Sequence, residues 1–161
     1  MDRDTDPGTA EAQDRAERSA AAMWAADRAS QALGIRISDV RPGRATATMQ
    51  VTEDMVNGHG IAHGGYVFLL ADTAFAFACN SYDQRTVAQH CSITYVRPAR
   101  LGQRLTAHAV ERSRSGRSGI YDVTVTREEG FVIAEFRGHS RTIEGKLVPG
   151  AQLRGALGAK V

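Results

Sequence analysis

Residues 66–79 read Tyr-Val-Phe-Leu-Leu-Ala-Asp-Thr-Ala-Phe-Ala-Phe-Ala-Cys. Asp72 is the one charged group in the run. The apolar residues do not fall on a single stripe; they surround the helix, the mark of a helix buried on all sides. A carboxylate in that setting costs free energy unless polar groups satisfy it. Just upstream lies Asn57-Gly58-His59-Gly60-Ile61-Ala62-His63-Gly64-Gly65, a glycine-rich segment able to bare backbone N–H groups. An acid on a helix whose start exposes amides points to acyl-transfer chemistry.

Outward from this helix the period changes. Ala45, Ala47, Met49 and Val51 alternate with Thr46, Thr48 and Gln50, the period of a half-buried strand. Residues 35–41 supply its partner, with Pro42-Gly43 at the turn. Downstream come four strand-like segments, at about 86–96, 102–113, 119–128 and 131–143. Leu105, Ala107 and Ala109 alternate there, as do Tyr121, Val123 and Val125, and residues 113–119 and Glu129-Gly130 look like hairpin connections. Upstream, the Ala-rich stretch from Thr9 to Leu33 favours a helix that stops at Gly34, docked by Met23, Trp24 and Leu33. The order predicts an α+β fold: an antiparallel sheet of about six strands wrapped round one long buried helix, plus an N-terminal helix. Residues 1–18 read as a polar, largely disordered extension, 19–145 as the folded domain and 146–161 as a flexible tail.

Composition narrows the function classes. A chain of 161 residues is long enough for one domain with a real core. A net charge of +2 favours neither nucleic acid nor membrane as partner. The N-terminus carries no apolar signal region, and the run at 66–79 is too short to span a bilayer. Cys79 and Cys91, 12 apart, match neither a metal-binding pair nor a disulfide framework, so a reduced, cytoplasmic protein is expected. His59 and His63 form HxxxH without an intervening Glu and among glycines that disfavour a helix, so no metal is expected there. Cys79, among apolar neighbours, is a poor nucleophile, and no Gly-x-Ser-x-Gly elbow is present.

The candidate site follows from chemistry and spacing. Asp72 can attack an acyl carbonyl directly or deprotonate a water; the other reading is a structural aspartate bonded to backbone or to the Thr73 hydroxyl. Gly64 and Gly65 start the helix, where N–H groups lack intrahelical acceptors and the dipole is positive, so one of them can polarise a carbonyl. Gly64 and Asp72 are eight residues apart, roughly 12 Å along a helix at ~1.5 Å per residue. One acyl carbon cannot touch both within one subunit. Two antiparallel helices from two copies can bring one chain's Gly64 beside the other's Asp72, which predicts sites shared across a two-fold dimer. Asn57 can hold water or a substrate carbonyl, or serve as the turn residue of Asn-Gly. The basic excess over Arg97, Arg100, Arg104, Arg112, Arg114 and Arg117 suits phosphates or a solvated surface.

Asn57-Gly58-His59, His63-Gly64-Gly65, Leu70-Ala71-Asp72-Thr73-Ala74-Phe75-Ala76, Ala78-Cys79-Asn80-Ser81 and Arg97-Pro98 together resemble the hotdog-fold acyl-CoA thioesterases, in particular the phenylacetate-degradation (PaaI) group. The resemblance spans about residues 20–145. It implies hydrolysis of acyl-CoA to acid and CoA without metal or redox cofactor, on (hydroxy)phenylacetyl or similar aryl or medium-chain acyl groups. It implies a homodimer with sites at the subunit interface, assembled as a homotetramer. It selects Asp72 as the catalytic carboxylate, Gly64 as oxyanion donor and Asn57 as their polar companion. His63, Gly65, Tyr66, Phe75, Tyr95, Arg97 and Arg117 become candidate substrate-binding residues, with Phe68 a further apolar candidate. Two other classes share the fold: an enoyl-thioester hydratase or dehydratase, which needs a histidine beside the acid, and a non-catalytic acyl-CoA-binding module.

Overall fold

The computed structural model describes residues 7–150. The ends, 1–6 and 151–161, lie outside the described residues, and with them most of the expected tail and the start of the expected extension. Helix α1 (Pro7–Ala26) and the short α2 (Arg28–Ala32) precede strands β1 (Arg36–Arg41) and β2 (Arg44–Gln50). Helix α3 (Gly64–Cys79) follows, then β3 (Thr86–Tyr95), β4 (Arg104–Ser115), β5 (Ser118–Arg127) and β6 (Val132–Thr142). All six strands form one antiparallel sheet in the order β1-β2-β4-β5-β6-β3. This is the α+β arrangement expected from the residue pattern, and the hotdog fold that the resemblance implies.

The sheet curls round α3 because the residues beneath the helix are small. Ala45 and Ala47 of β2 pair with Ala109 and Ala107 of β4, and all four are buried. The helix backbone can then approach the strands closely. Larger residues fill the far side: Phe75 of α3 lies 5.5 Å from the Tyr121 ring and 5.9 Å from the Phe136 ring. Gly138 of β6 makes room for it, since a Cβ there would stand 2.8 Å from Phe75 ring carbons. The C-terminus of α3 is locked by Asn80, whose Nδ2 donates to the carbonyls of Ala76 and Thr86 while its Oδ1 accepts from Thr86 N–H. Ser81 donates to the Ala78 carbonyl and accepts from Gly43 N–H, tying the helix end to the β1–β2 turn.

Three expectations need correction. The N-terminal helix starts at Pro7, a residue suited to a first helical position, so residues 7–18 are helical rather than disordered; Ala16 is fully buried and Gln13 donates to the Val40 carbonyl. That helix does not run unbroken to Leu33. Asp27 leaves helical geometry and caps α2 by accepting from Ser30 N–H, a cap that Ala-rich propensity cannot foresee. Finally, α3 is not enclosed on all sides. Ala71, Ala74, Phe75 and Ala78 are buried, and Thr73 and Phe77 meet Ser30 and Trp24. Gly65, Phe68, Leu69, Asp72 and Ala76, one stripe at helical spacing, remain partly open.

Overpacking the Phe75 seat gives a direct check. Gly138→Ala should lower stability by about 1–3 kcal/mol, read as a drop in the denaturant midpoint at unchanged slope.

Candidate active site

The N-terminus of α3 is built by the loop before it. Asn57 Oδ1 accepts from His59 N–H at 2.9 Å, shaping the turn 57–61, and His63 N–H donates to the Met55 carbonyl at 2.7 Å. His63 is the helix N-cap: its Nδ1 accepts from Gly65 N–H at 2.9 Å. Ala62 N–H is taken by the Ala99 carbonyl and Tyr66 N–H by the His63 carbonyl. Gly64 N–H is thus left without an acceptor among the described residues, between neighbours that are all satisfied. Of the two candidate glycines, Gly64 carries the free donor and Gly65 does not. His63 therefore acts by capping, and Asn57 Nδ2 bonds no group among the described residues while its oxygen holds the turn.

Gly64 opens on a cleft of about 510 Å³ lined by Asn57, Val67, Tyr95, Arg97, Pro98 and Ile133, among others. Tyr95, on β3, donates its hydroxyl to the Gly64 carbonyl at 2.9 Å, and its ring would stand 2.9 Å from any Cβ at Gly64. Arg97 Nη1 donates to the Val132 carbonyl at 3.1 Å, which holds the guanidinium at the cleft rim. Asn57, Gly64, Tyr95 and Arg97 are therefore brought together by one protomer.

Asp72 is not with them. It sits two turns along α3, in the open stripe beside edge strand β3, and its Oδ1 faces the Cys91 thiol at 3.9 Å. Burial pushes its pKa above the ordinary carboxylate value, and the Cys91 contact pulls the other way. Thr73, the proposed structural partner of Asp72, instead bonds Ser30 at 3.4 Å, so the structural reading loses the contact it relied on.

The remaining candidates divide. Tyr66 is half-buried and meets His63 edge-on, and Phe68 lies in the open stripe against Phe136. Phe75, by contrast, is 1 % exposed in the core; a helix with apolar residues on every face does not announce which of them meet the sheet. Arg117 lies at the β4–β5 turn and donates to the Thr142 carbonyl, away from the cleft-lining set. Arg112 pairs with Asp122, and Arg114 lies 3.6 Å over the Tyr82 ring. Neither His63 nor His90 partners Asp72: the first caps α3, and the second packs on His139. Cys91 is the contact that the sequence reading missed. Its signal was present in the strand period, which puts Cys91 and Ile93 on the helix-facing side of β3. No group of three or more metal-ligating side chains is found among the described residues, and none of their helices is long and apolar enough to cross a membrane.

Residues 59–134 match the model of the thioesterase superfamily. The chain is 43% identical over 133 residues to acyl-coenzyme A thioesterase PaaI of Escherichia coli K12, covering 83% of this chain and 95% of that one. The solved structure of the E. coli PaaI protein from the phenylacetic acid degradation operon aligns with a TM-score of 0.82 at 42% identity, over 83% of this chain and 97% of that one. A hypothetical thioesterase from Streptococcus pneumoniae TIGR4, solved with coenzyme A, aligns at 0.67 and 25% identity, over 70% and 88% of the two chains.

The raised pKa of Asp72 has a stability consequence. A folded-state pKa above the unfolded one means that the folded chain holds the proton more tightly, so the ionised carboxylate opposes folding above the raised pKa and costs nothing below the ordinary one. Asp72→Asn should match or exceed the parent in denaturant midpoint at neutral pH, with the advantage fading as the pH falls into the ordinary carboxylate range.

Proposed function

The chain belongs to the thioesterase superfamily, in the PaaI group of hotdog-fold acyl-CoA thioesterases, and from that premise we propose that it hydrolyses (hydroxy)phenylacetyl-CoA or a similar aryl or medium-chain acyl-CoA at sites shared between two copies. The observation that carries the reading is the division of the site. The free Gly64 N–H opens on an apolar cleft, while the acid lies on a different stretch of the same rigid helix. A cleft of about 510 Å³ is in the range that holds a small organic ligand. Ile61, Val67, Val96, Pro98 and Ile133 supply its apolar walls, suited to an aryl or alkyl group.

The second copy has a natural place. β3 is an edge strand, paired on one side only with β6; it exposes Val87 and Tyr95, and Val96 just past its end is exposed too. Long edges with apolar side chains invite pairing with another chain. A partner seated along β3 in two-fold symmetry covers the open stripe of α3 and carries its own Gly64 towards this Asp72. In that site Gly64 N–H receives the negative charge that develops on the thioester oxygen. Asn57 Nδ2 adds a second donor, and ionised Asp72 of the other copy attacks the carbonyl carbon or takes the proton of the attacking water. In the first case CoA leaves as the thiolate and is protonated by water, and a water then hydrolyses the acyl-aspartate to the free acid and regenerates the carboxylate; in the second the tetrahedral adduct collapses and CoA leaves with the proton that Asp72 took. Arg97 at the cleft rim supplies positive charge for the CoA phosphates.

Release of free thiol from phenylacetyl-CoA, hydroxyphenylacetyl-CoA and a medium-chain acyl-CoA tests the reading. Asp72→Asn should lower kcat at least ~100-fold, about 2.7 kcal/mol of barrier, while remaining folded. Gly64→Pro removes the free N–H at a first helical position where proline is accepted, after a His63 backbone already extended as a pre-proline residue requires. Gly64→Ala keeps the N–H and meets the same Tyr95 ring. A further loss of ~100-fold in Gly64→Pro beyond Gly64→Ala isolates the oxyanion donor. A parent protein that binds these thioesters but releases no thiol contradicts the proposal.

A further inference from the structure

We propose that Cys91 is a positioning residue for the reaction, its thiol donating to Asp72 Oδ1 and holding the carboxylate ionised and aimed out of the open stripe of α3. The inference rests on the catalytic reading of Asp72. Its basis is the lack of any other donor. Cys91 Sγ lies 3.9 Å from Asp72 Oδ1, and no hydroxyl, amide or cation among the described residues bonds that carboxylate. Thr73, adjacent in the chain, is turned to Ser30. The elements packed on α3 send no charged side chain to Asp72. The ionisable groups that feel its charge are Cys91 on β3 and Cys79 within α3.

The thiol is fit for donation and unfit for attack. Beside a carboxylate and partly buried, Cys91 has its pKa pushed up to about 11, so it keeps its proton and offers S–H. Cys79, about two turns further along α3 than Asp72, is pushed up to about 12 and bonds the Ala76 carbonyl. Sulfur also suits the place sterically, filling apolar space between β3 and α3 while donating weakly. A weak donor stabilises the ionised form without quenching its basicity, whereas a strong cationic partner would lower the pKa by one to three units, roughly, and weaken the base.

The test is the acid limb of kcat/KM against pH, together with direct titration of the Asp72 carboxyl by carbon-13 NMR. Cys91→Ala removes the donor, so the limb and the carboxyl titration should both move up by about 0.5 pH unit. Cys91→Ser restores a donor and should return the limb to the parent position or below it. A residue that merely fills space would move both down instead, because its removal lets water reach the carboxylate and weakens the burial that raises its pKa. Superimposable parent and Cys91→Ala titrations overturn the inference, as does a Cys91→Ser limb raised as far as that of Cys91→Ala. If Asp72→Asn proves fully active, the catalytic reading falls and this role falls with it; the NMR titration then still decides whether the thiol sets the carboxyl pKa.

Discussion

A helix is a rigid ruler, and α3 carries on it both groups to which the proposed function gives chemical roles. Gly64 stands at its first position and Asp72 eight residues later, roughly 12 Å away along the axis. No loop movement shortens that span, because every intervening residue is helical. The alanines of β2 and β4, the Phe75 seat at Gly138 and the Asn80 lock all serve to hold this ruler against the sheet. Once it is held, the donor and the acid point to different places, and a single copy offers two half-sites.

The half-sites differ in how they are prepared. At the N-terminus, preparation is subtractive: His63, Ala99 and the helix itself occupy the neighbouring N–H groups, leaving that of Gly64 available. Such a donor costs no reorganisation at the moment of reaction. At Asp72, preparation is electrostatic. Burial raises the proton affinity of the carboxylate, and the only opposing contact among the described residues is a thiol. Carboxylates perturbed in this way cluster at functional sites, which supports the proposed role of Asp72.

Most of the fold was legible in the residues. The period-two alternation of Ala45 to Val51 and of Tyr121 to Val125 located β2 and β5, because a strand facing a helix on one side must alternate. The apolar run with Asp72 located α3. The break at Asp27 was not legible, since a cap wins over propensity only once the following turn has packed. The site was legible where chain spacing governs it: Asp72 against Gly64, and Asn57 in the turn. It was not legible where packing phase governs it. Phe75 turned to the sheet and Tyr95 to the cleft, although both are aromatic residues beside the motif. Arg117 is held by a carbonyl at the far hairpin, which no charge pattern reveals. Cys91 reached Asp72 through strand register, a relation visible only after β3 is placed.

The central claim is that donor and acid act from different copies. Mixing inactive Asp72→Asn chains with inactive Gly64→Pro chains and letting the subunits exchange tests it most directly. Half the resulting dimers are hybrids, each with one site that keeps both Gly64 and Asp72, so about a quarter of the parental thioesterase activity should return. A mixture that stays as inactive as its components, with hybrids shown to form, would place the whole site in one chain and contradict the account.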